Sequence, residues 1–240
     1  DLTNIPYNGI YGGTGLLSSR TNPFPSKKNP EDRSQQIIRN IEKYKIDVLV
    51  TIGGDDTNGA AKRMYESYGI PVIGFPKTID NDLRTRTMHH YNGKQYETVL
   101  CPGFASGAMQ IKKMTAKLHT TNESHQRIMV LEVMGRDAGW LTGTASFGGA
   151  QLSLIPEVEM TKERKDFFFE LVKERYMSSP TKSLIIAVSE GVRWWNDEKQ
   201  MLDMVYASSD LDEYGHPRFG GVSGVIASEI LINPSVLGIA

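Results

Sequence analysis

Five short stretches of the sequence carry side chains whose types and spacing suit chemistry on an oxygen-rich, charged substrate. The first, Ile52-Gly53-Gly54-Asp55-Asp56-Thr57-Asn58, runs from an apolar segment through two glycines into a helical pattern. Glycine lets backbone N–H groups approach phosphate oxygens, and a helix N-terminus attracts an anion. Two carboxylates beside a bare phosphate call for Mg2+ between them. The plainer alternative is a strand-to-helix turn with Asp56 or Thr57 as its N-cap. The second stretch, Pro76-Lys77-Thr78-Ile79-Asp80-Asn81-Asp82, sets two carboxylates two residues apart, with a lysine three residues before the first. A carboxylate at a strand end can act as general base toward a hydroxyl, and lysine can neutralise a phosphate. A polar loop of Asx turns explains the same residues.

The third stretch is a pair, His125-Gln126-Arg127 and Met134-Gly135-Arg136, bracketing one apolar run. Arginine's planar fork binds phosphate oxygens two at a time. Two arginines at opposite ends of a strand serve one site only if a second subunit or a neighbouring sheet supplies the other half. Otherwise both are exposed surface residues. The fourth, Ser189-Glu190-Gly191, follows the apolar run 184–188 and could accept sugar hydroxyls. The fifth, Gly215-His216-Pro217-Arg218-Phe219-Gly220-Gly221, places a histidine and an arginine before a glycine pair that opens a helix. Each of these two also reads as a capped turn.

Such stretches need a scaffold that gathers strand ends. Ile37, Ile38, Ile41 and Tyr44 recur at helical spacing and predict a helix over 34–44. The β-branched run 46–52 predicts a buried strand, 58–68 a helix stopped by Gly69, and 71–75 the next strand. The polar stretch 84–99 predicts an irregular insertion or long loop, with His89-His90 solvated. A helix follows the small-residue turn 103–107, with Ile111, Met114 and Leu118 expected on one face. Strands over 128–133, 152–155 and 183–188 alternate with helices that start near Gly139, span 161–176 and span 220–231. Trp194-Trp195 and the run Phe167–Phe169 read as core or interface aromatics. This alternation predicts an α/β fold of two parallel-sheet, helix-flanked, Rossmann-like domains. Sheets of that kind bind ligands beyond their strand C-termini.

Composition narrows the classes. With 27 basic and 28 acidic side chains among 240 residues the net charge is −1, which excludes a general electrostatic binder of nucleic acid or membrane. A hydrophobic content of 39% with 23% charged residues belongs to soluble globular chains. No apolar run approaches the roughly 18 residues of a membrane span. One cysteine, Cys101, leaves no internal disulfide framework and no thiolate zinc cluster, and suits a reducing, cytoplasmic compartment. The sequence opens on Asp1 without methionine and stops at Ile239-Ala240, so a piece of a longer protein is expected.

Taken together and in order, these stretches resemble the phosphofructokinase family. The resemblance rests on Gly12-Gly13-Thr14 with Ser19-Arg20, the Gly-Gly-Asp turn, Pro76–Asp82, His125–Arg127, Met134-Gly135-Arg136 and Ser189-Glu190-Gly191, with a weaker match at 215–221. It implies transfer of a phosphoryl group to the 1-hydroxyl of fructose 6-phosphate. It further implies a donor domain over 1–102, a sugar-phosphate domain over 103–215 and a return segment over 216–240. By the same resemblance Asp80 is the general base, Asp82 assists it, and Arg136 stabilises charge on the transferring group, with Lys77 and Thr78 in the same catalytic loop. Arg20, Gly54, Asp55 and Asp56 border the donor, and Asp55 holds Mg2+. Arg127 reaches the 6-phosphate from a neighbouring subunit of a homodimer or homotetramer. Met134, Gly135 and Glu190 meet the sugar, and His216 and Arg218 its phosphate.

Two positions bear on the donor. ATP-using members have glycines where Asp56 and Lys77 stand, whereas members with Asp and Lys there use inorganic pyrophosphate. A carboxylate at Asp56 charges and fills the path of an ATP α-phosphate. The expected reaction is therefore a reversible pyrophosphate-dependent phosphorylation giving fructose 1,6-bisphosphate. An ATP-dependent kinase and a catalytically silent regulatory subunit or truncated fragment are the alternatives. Some features depart from the family. Its opening strand, its glycine-rich phosphate loop and its last segments are not in the sequence. Arg218 sits one place early in its motif, and Asp210 occupies a position where members often carry arginine. Gln151 replaces an acidic residue found in allosteric members, which predicts no effector response of that kind.

Overall fold

Short apolar strands that alternate in part with helices set the architecture. The structure is a computed structural model, and it describes residues 21–26, 30–99, 101–212, 214–233 and 236. The chain divides into two compact units, residues 1–47 with 210–217 and residues 48–209 with 218–240. In the first, the Asp32 carboxylate accepts the N–H of Ser34 at 2.9 Å and its hydroxyl at 2.6 Å, and so starts helix α1 (Ser34–Tyr44).

The second unit begins with strand β1 (Leu49–Gly53), helix α2 (Asp55–Tyr68) and strand β2 (Val72–Pro76). β1 and β2 pair in parallel from Leu49↔Val72 to Gly53↔Pro76. α2 buries Ala61 and Met64 and ends at Gly69, whose φ of 68° is a left-handed cap. Val50, Ile52, Ile73 and Phe75 of this two-stranded sheet are exposed, so the strand expected to be buried over 46–52 is not, because α2 packs on the sheet and leaves these side chains open.

The polar stretch after β2 is ordered rather than irregular. It forms an antiparallel hairpin of β3 (Arg84–Tyr91) and β4 (Lys94–Val99). Asn92 and Gly93 make its two-residue turn, with φ of 48° and 70°, the conformation that matches strand twist in a tight hairpin.

Helix α3 (Pro102–His125) leads into β5 (Ile128–Val133), the short helix α4 (Trp140–Thr144), a single 3-10 turn over Ala145–Gly148 and β6 (Leu152–Leu154). Helix α5 (Lys162–Ser178) and β7 (Leu184–Ser189) complete a parallel three-stranded sheet in the order β5-β7-β6. Every residue of the central strand β7 is buried, as an apolar run covered on both faces requires. Leu184, Ile186 and Val188 pack with Phe168, Phe169, Trp194 and Ile226 on one side. Ile185 and Ala187 meet Ala145, Ala150, Ile111 and Leu118 on the other. The inward face of α3 is thus Ile111, Thr115, Leu118 and Asn122; Met114 points outward and is 58% exposed. The 111-114-118 reading erred by one position because the buried Thr115 spends its hydroxyl on the Ile111 carbonyl at 2.8 Å, which lets a polar residue face the core.

The remaining elements are β8 (Trp194–Asn196), β9 (Met201–Asp203), β10 (Tyr206–Leu211), β11 (Pro217–Phe219) and α6 (Val222–Ile232). β8 pairs antiparallel with β9, and β10 lies beside β11. The Lys165 ammonium, its side chain only 5% exposed, meets Asp197 at 2.6 Å, Glu229 at 2.8 Å and the Trp195 carbonyl at 3.1 Å. That clasp ties α5 and α6 to the turn after β8. Among the described residues no helix is long and apolar enough to cross a membrane.

Candidate active site

Four of the chemistry-bearing turns follow the ends of β1, β2, β5 and β7, and backbone hydrogen bonds join them in two pairs. After β1, Gly54 is the N-cap of α2 and offers no side-chain cap, so Asp55 and Asp56 lie in the first helical turn. The expected N-cap at Asp56 or Thr57 is therefore displaced by two or three residues. The Asn58 amide donates to the Gly53 carbonyl at 2.8 Å and the Gly54 carbonyl at 3.0 Å, which fixes the turn. The backbone N–H of Lys77 donates to Gly53 at 2.7 Å, joining the loop after β2 to the same point.

Within that second loop the Thr78 hydroxyl accepts the Asp80 N–H at 3.1 Å and donates to the Asp80 carboxylate at 3.0 Å. Asn81 is buried and left-handed, with φ of 58°. Its side-chain oxygen accepts the Cys101 N–H at 3.0 Å, closing the base of the β3–β4 hairpin between Asp80 and Asp82 on one side and α3 on the other. The first turn of α3 lies so near that a Cβ at Gly103 would stand 2.6 Å from the Thr78 carbonyl oxygen.

On the other side of the site, Glu190 donates its N–H to Val133 at 3.0 Å and Gly191 donates to Gly135 at 3.1 Å, so the turns after β5 and β7 run together. The Glu190 carboxylate accepts the Gly135 N–H at 3.4 Å. At Gly191 a Cβ would sit 1.8 Å from the Arg136 carbonyl oxygen, so only glycine fits against that backbone. The Arg136 guanidinium bonds to Asp137 at 2.8 Å.

Electrostatics joins the two sides. Lost hydration and the neighbouring charges of Asp80 and Asp55 raise the Asp82 carboxyl above its ordinary value; its own backbone and Arg136 pull the other way. Burial, followed by the charges of Glu132 and Asp80, raises the Glu190 carboxyl against the Gly135 hydrogen bond and Arg136. Burial would lower Arg136, but Asp137, Asp56 and Asp55 outweigh it and hold the guanidinium firmly charged. Asp82 thus feels Asp80, Asp55 and Arg136, Glu190 feels Asp80 and Arg136, and Arg136 feels Asp55 and Asp56, which brings the turns after β1, β2, β5 and β7 into one electrostatic neighbourhood. Carboxylate oxygens of this kind are the donors that a hard divalent cation such as Mg2+ prefers. The arrangement can bind a polyanion through that cation and Arg136 while keeping carboxylates beside a hydroxyl.

Residues 8–219 match the sequence pattern of a family described as "Phosphofructokinase". The chain belongs to the phosphofructokinase family. It is 39% identical over 222 residues to a pyrophosphate–fructose 6-phosphate 1-phosphotransferase of Streptomyces coelicolor, covering 91% of this chain and 57% of that protein. It is 34% identical over 224 residues to an ATP-dependent 6-phosphofructokinase of Corynebacterium efficiens, covering 92% and 57%. The solved pyrophosphate-dependent phosphofructokinase from Marinobacter aquaeolei superposes with a TM-score of 0.54 at 26% identity, over 68% of this chain and 41% of that one. The chain thus spans 57% of the length of these curated relatives. The α/β fold expected from the sequence is the phosphofructokinase type.

Not every residue singled out by the phosphofructokinase resemblance joins the crevice. Gly54, Lys77 and Thr78 lie on the turns after β1 and β2, and Met134 and Gly135 stand beside Glu190. Arg127 lies at the opposite end of β5, seven residues or about 23 Å along the strand from Met134. His216 belongs to the smaller unit, where its Nδ1 is 3.8 Å from Asp212 and its ring stacks on Tyr214. Arg218 is exposed in β11. Arg20, with Gly12-Gly13-Thr14 and Ser19, lies outside the described residues. Sequence reasoning placed Asn58 and Asn81 in their stretches without a role of their own, and passed over Glu132. Glu132 carried a signal, since a carboxylate interrupts an otherwise apolar strand.

Proposed function

We propose that this chain carries the catalytic crevice of a pyrophosphate-dependent 6-phosphofructokinase. The observation that supports this best is the electrostatic convergence of Asp55, Asp56, Asp80, Asp82 and Arg136 from turns that follow different strands. The reaction moves one phosphoryl group. The 1-hydroxyl oxygen of fructose 6-phosphate attacks a phosphorus of pyrophosphate, the bridging P–O bond breaks, and orthophosphate leaves with the electron pair. Asp80 takes the hydroxyl proton, held in place by Thr78. Asp82 assists by keeping its negative charge beside that proton. Such a general base is worth roughly 100- to 10,000-fold in rate.

Arg136 stabilises the charge that spreads over the transferring group, and Lys77 neutralises the departing phosphate. Mg2+, held by Asp55, offsets donor charge when bound. Glu190 accepts sugar hydroxyls, with Met134 and Gly135 against the ring. Arg127, supplied by a neighbouring subunit of a homodimer or homotetramer, and His216 with Arg218 serve the 6-phosphate. Arg20 and Gly54 border the donor. The donor side is residues 1–102, the sugar side 103–215, with 216–240 returning toward the first. Asp56 and Lys77 favour pyrophosphate over ATP by charge and by filling space. The ATP-named relatives support the second reading, an ATP-dependent enzyme.

Phosphorus NMR of the chain with Mg2+, fructose 6-phosphate and pyrophosphate tests the reaction. One orthophosphate and one new sugar phosphomonoester per pyrophosphate consumed is the expected result. Two orthophosphates with the sugar unchanged would mean simple hydrolysis and would refute the reading.

A further inference from the structure

Glu132 has no part in the chemistry above, yet its carboxylate makes three long-range bonds. It accepts the N–H of Gly221 at 2.9 and 3.1 Å and the N–H of Ser223 at 2.9 Å, about ninety residues away in sequence. These are the free donors of the first turn of α6, whose N-cap Gly221 provides no side-chain cap of its own. A carboxylate there satisfies orphan N–H groups and meets the positive end of the helix.

The bond links two segments that the proposed function uses. Glu132 pairs with Val188 in the β5–β7 register and stands two residues before Met134. Gly221 follows β11, which carries Arg218, and Gly220 donates to the Val205 carbonyl at 3.3 Å at the same junction. We propose that Glu132 is a positioning residue that sets the separation between the sugar edge of the site, Met134 to Arg136 with Glu190, and the phosphate segment at Arg218. This rests on the reading of those residues as the sugar-phosphate site. Burial tends to raise the Glu132 carboxyl, but the Ser223 and Gly221 hydrogen bonds outweigh it and hold it below its ordinary value. At neutral pH it is a carboxylate with acceptors only. Glutamine would remove the negative charge at the helix N-terminus and set an NH2 in place of Oε1, against the Gly221 N–H that Oε1 accepts at 2.9 Å.

The test is calorimetric binding of fructose 6-phosphate and, separately, of pyrophosphate with Mg2+, to the wild-type chain, Glu132→Gln and Glu132→Asp. Loss of a charge-assisted hydrogen bond corresponds to roughly 10- to 100-fold in affinity. Glu132→Gln should weaken fructose 6-phosphate by that factor and leave pyrophosphate within about twofold, with Glu132→Asp between it and wild type. A general loss of fold would weaken both ligands together, and that result, like an unchanged sugar-phosphate affinity, overturns the proposal. A wild-type chain that binds pyrophosphate but no fructose 6-phosphate overturns the functional reading itself, and the role of Glu132 with it.

Discussion

The backbone N–H of Lys77 donates to the carbonyl of Gly53 at 2.7 Å. This bond continues the parallel register one step past Gly53↔Pro76 and locks together the two turns that carry Asp55, Asp56, Asp80 and Asp82. Four carboxylates repel one another, so holding them near one another costs stability that a scaffold must supply. The β1–β2 ladder, the Asn58 amide and the Asn81–Cys101 bond supply it here.

Removing the proton acceptor should separate chemistry from binding. Asp80→Ser should lower kcat by about 100- to 10,000-fold while the dissociation constant for fructose 6-phosphate stays near wild type. Rapid-quench rates beside equilibrium binding check this. Equal loss of both would make Asp80 a structural residue.

Charge repulsion in the crevice has a stability signature. The Asp82 carboxyl lies above its ordinary value of 3.8 in the folded chain, chiefly through lost hydration and then through Asp80. The folded state therefore keeps a proton that the unfolded state has released, and stability falls as pH rises from 3.8 through the folded value. Asp82→Asn should flatten that slope and raise Tm at neutral pH, by less than about 1 kcal/mol because the residue is exposed and screened. The gain should come with lost activity, as at other sites built under strain. Thermal melts between acid and neutral pH measure both effects.

The close approach of Gly191 to Arg136 can be tested by adding one methyl group. Gly191→Ala must push the Arg136 backbone aside, at a cost of about 1–3 kcal/mol for overpacking. A displacement of even about 1 Å at Arg136 should lower kcat by about 100-fold. Steady-state kinetics on the folded variant, with Tm recorded alongside, decide it.

The proposed preference for pyrophosphate rests on two side chains. The double variant Asp56→Gly with Lys77→Gly removes a carboxylate and a cation, and should raise the ratio of ATP to pyrophosphate kcat/KM by about tenfold or more. An unchanged ratio would remove the steric and charge argument.

Strands with a β-branched or aliphatic run were legible in the sequence. β5 and β7 fall within one residue of their expected bounds, β7 because a strand buried on both faces must be apolar throughout, whereas β1 starts three residues later than expected. The β3–β4 hairpin was missed, although Asn92-Gly93 is a strong two-residue turn signal, because its strands are too polar to announce a buried face. β8 and β9 were missed because three-residue strands carry no period. The candidate site was legible as separate turns. Their meeting was not, because it depends on bonds such as Glu190 to Val133 and Gly135 to Gly191, whose partners lie more than fifty residues apart. Glu132 went unread for the same reason, since its partners at Gly221 and Ser223 cannot be guessed from its neighbours.

The most direct test is an aldolase-coupled rate measurement on this chain with fructose 6-phosphate and Mg2+, pyrophosphate and ATP run side by side. Turnover that depends on pyrophosphate and is absent with ATP is the predicted result. Turnover with ATP alone, or with neither donor, would contradict the account.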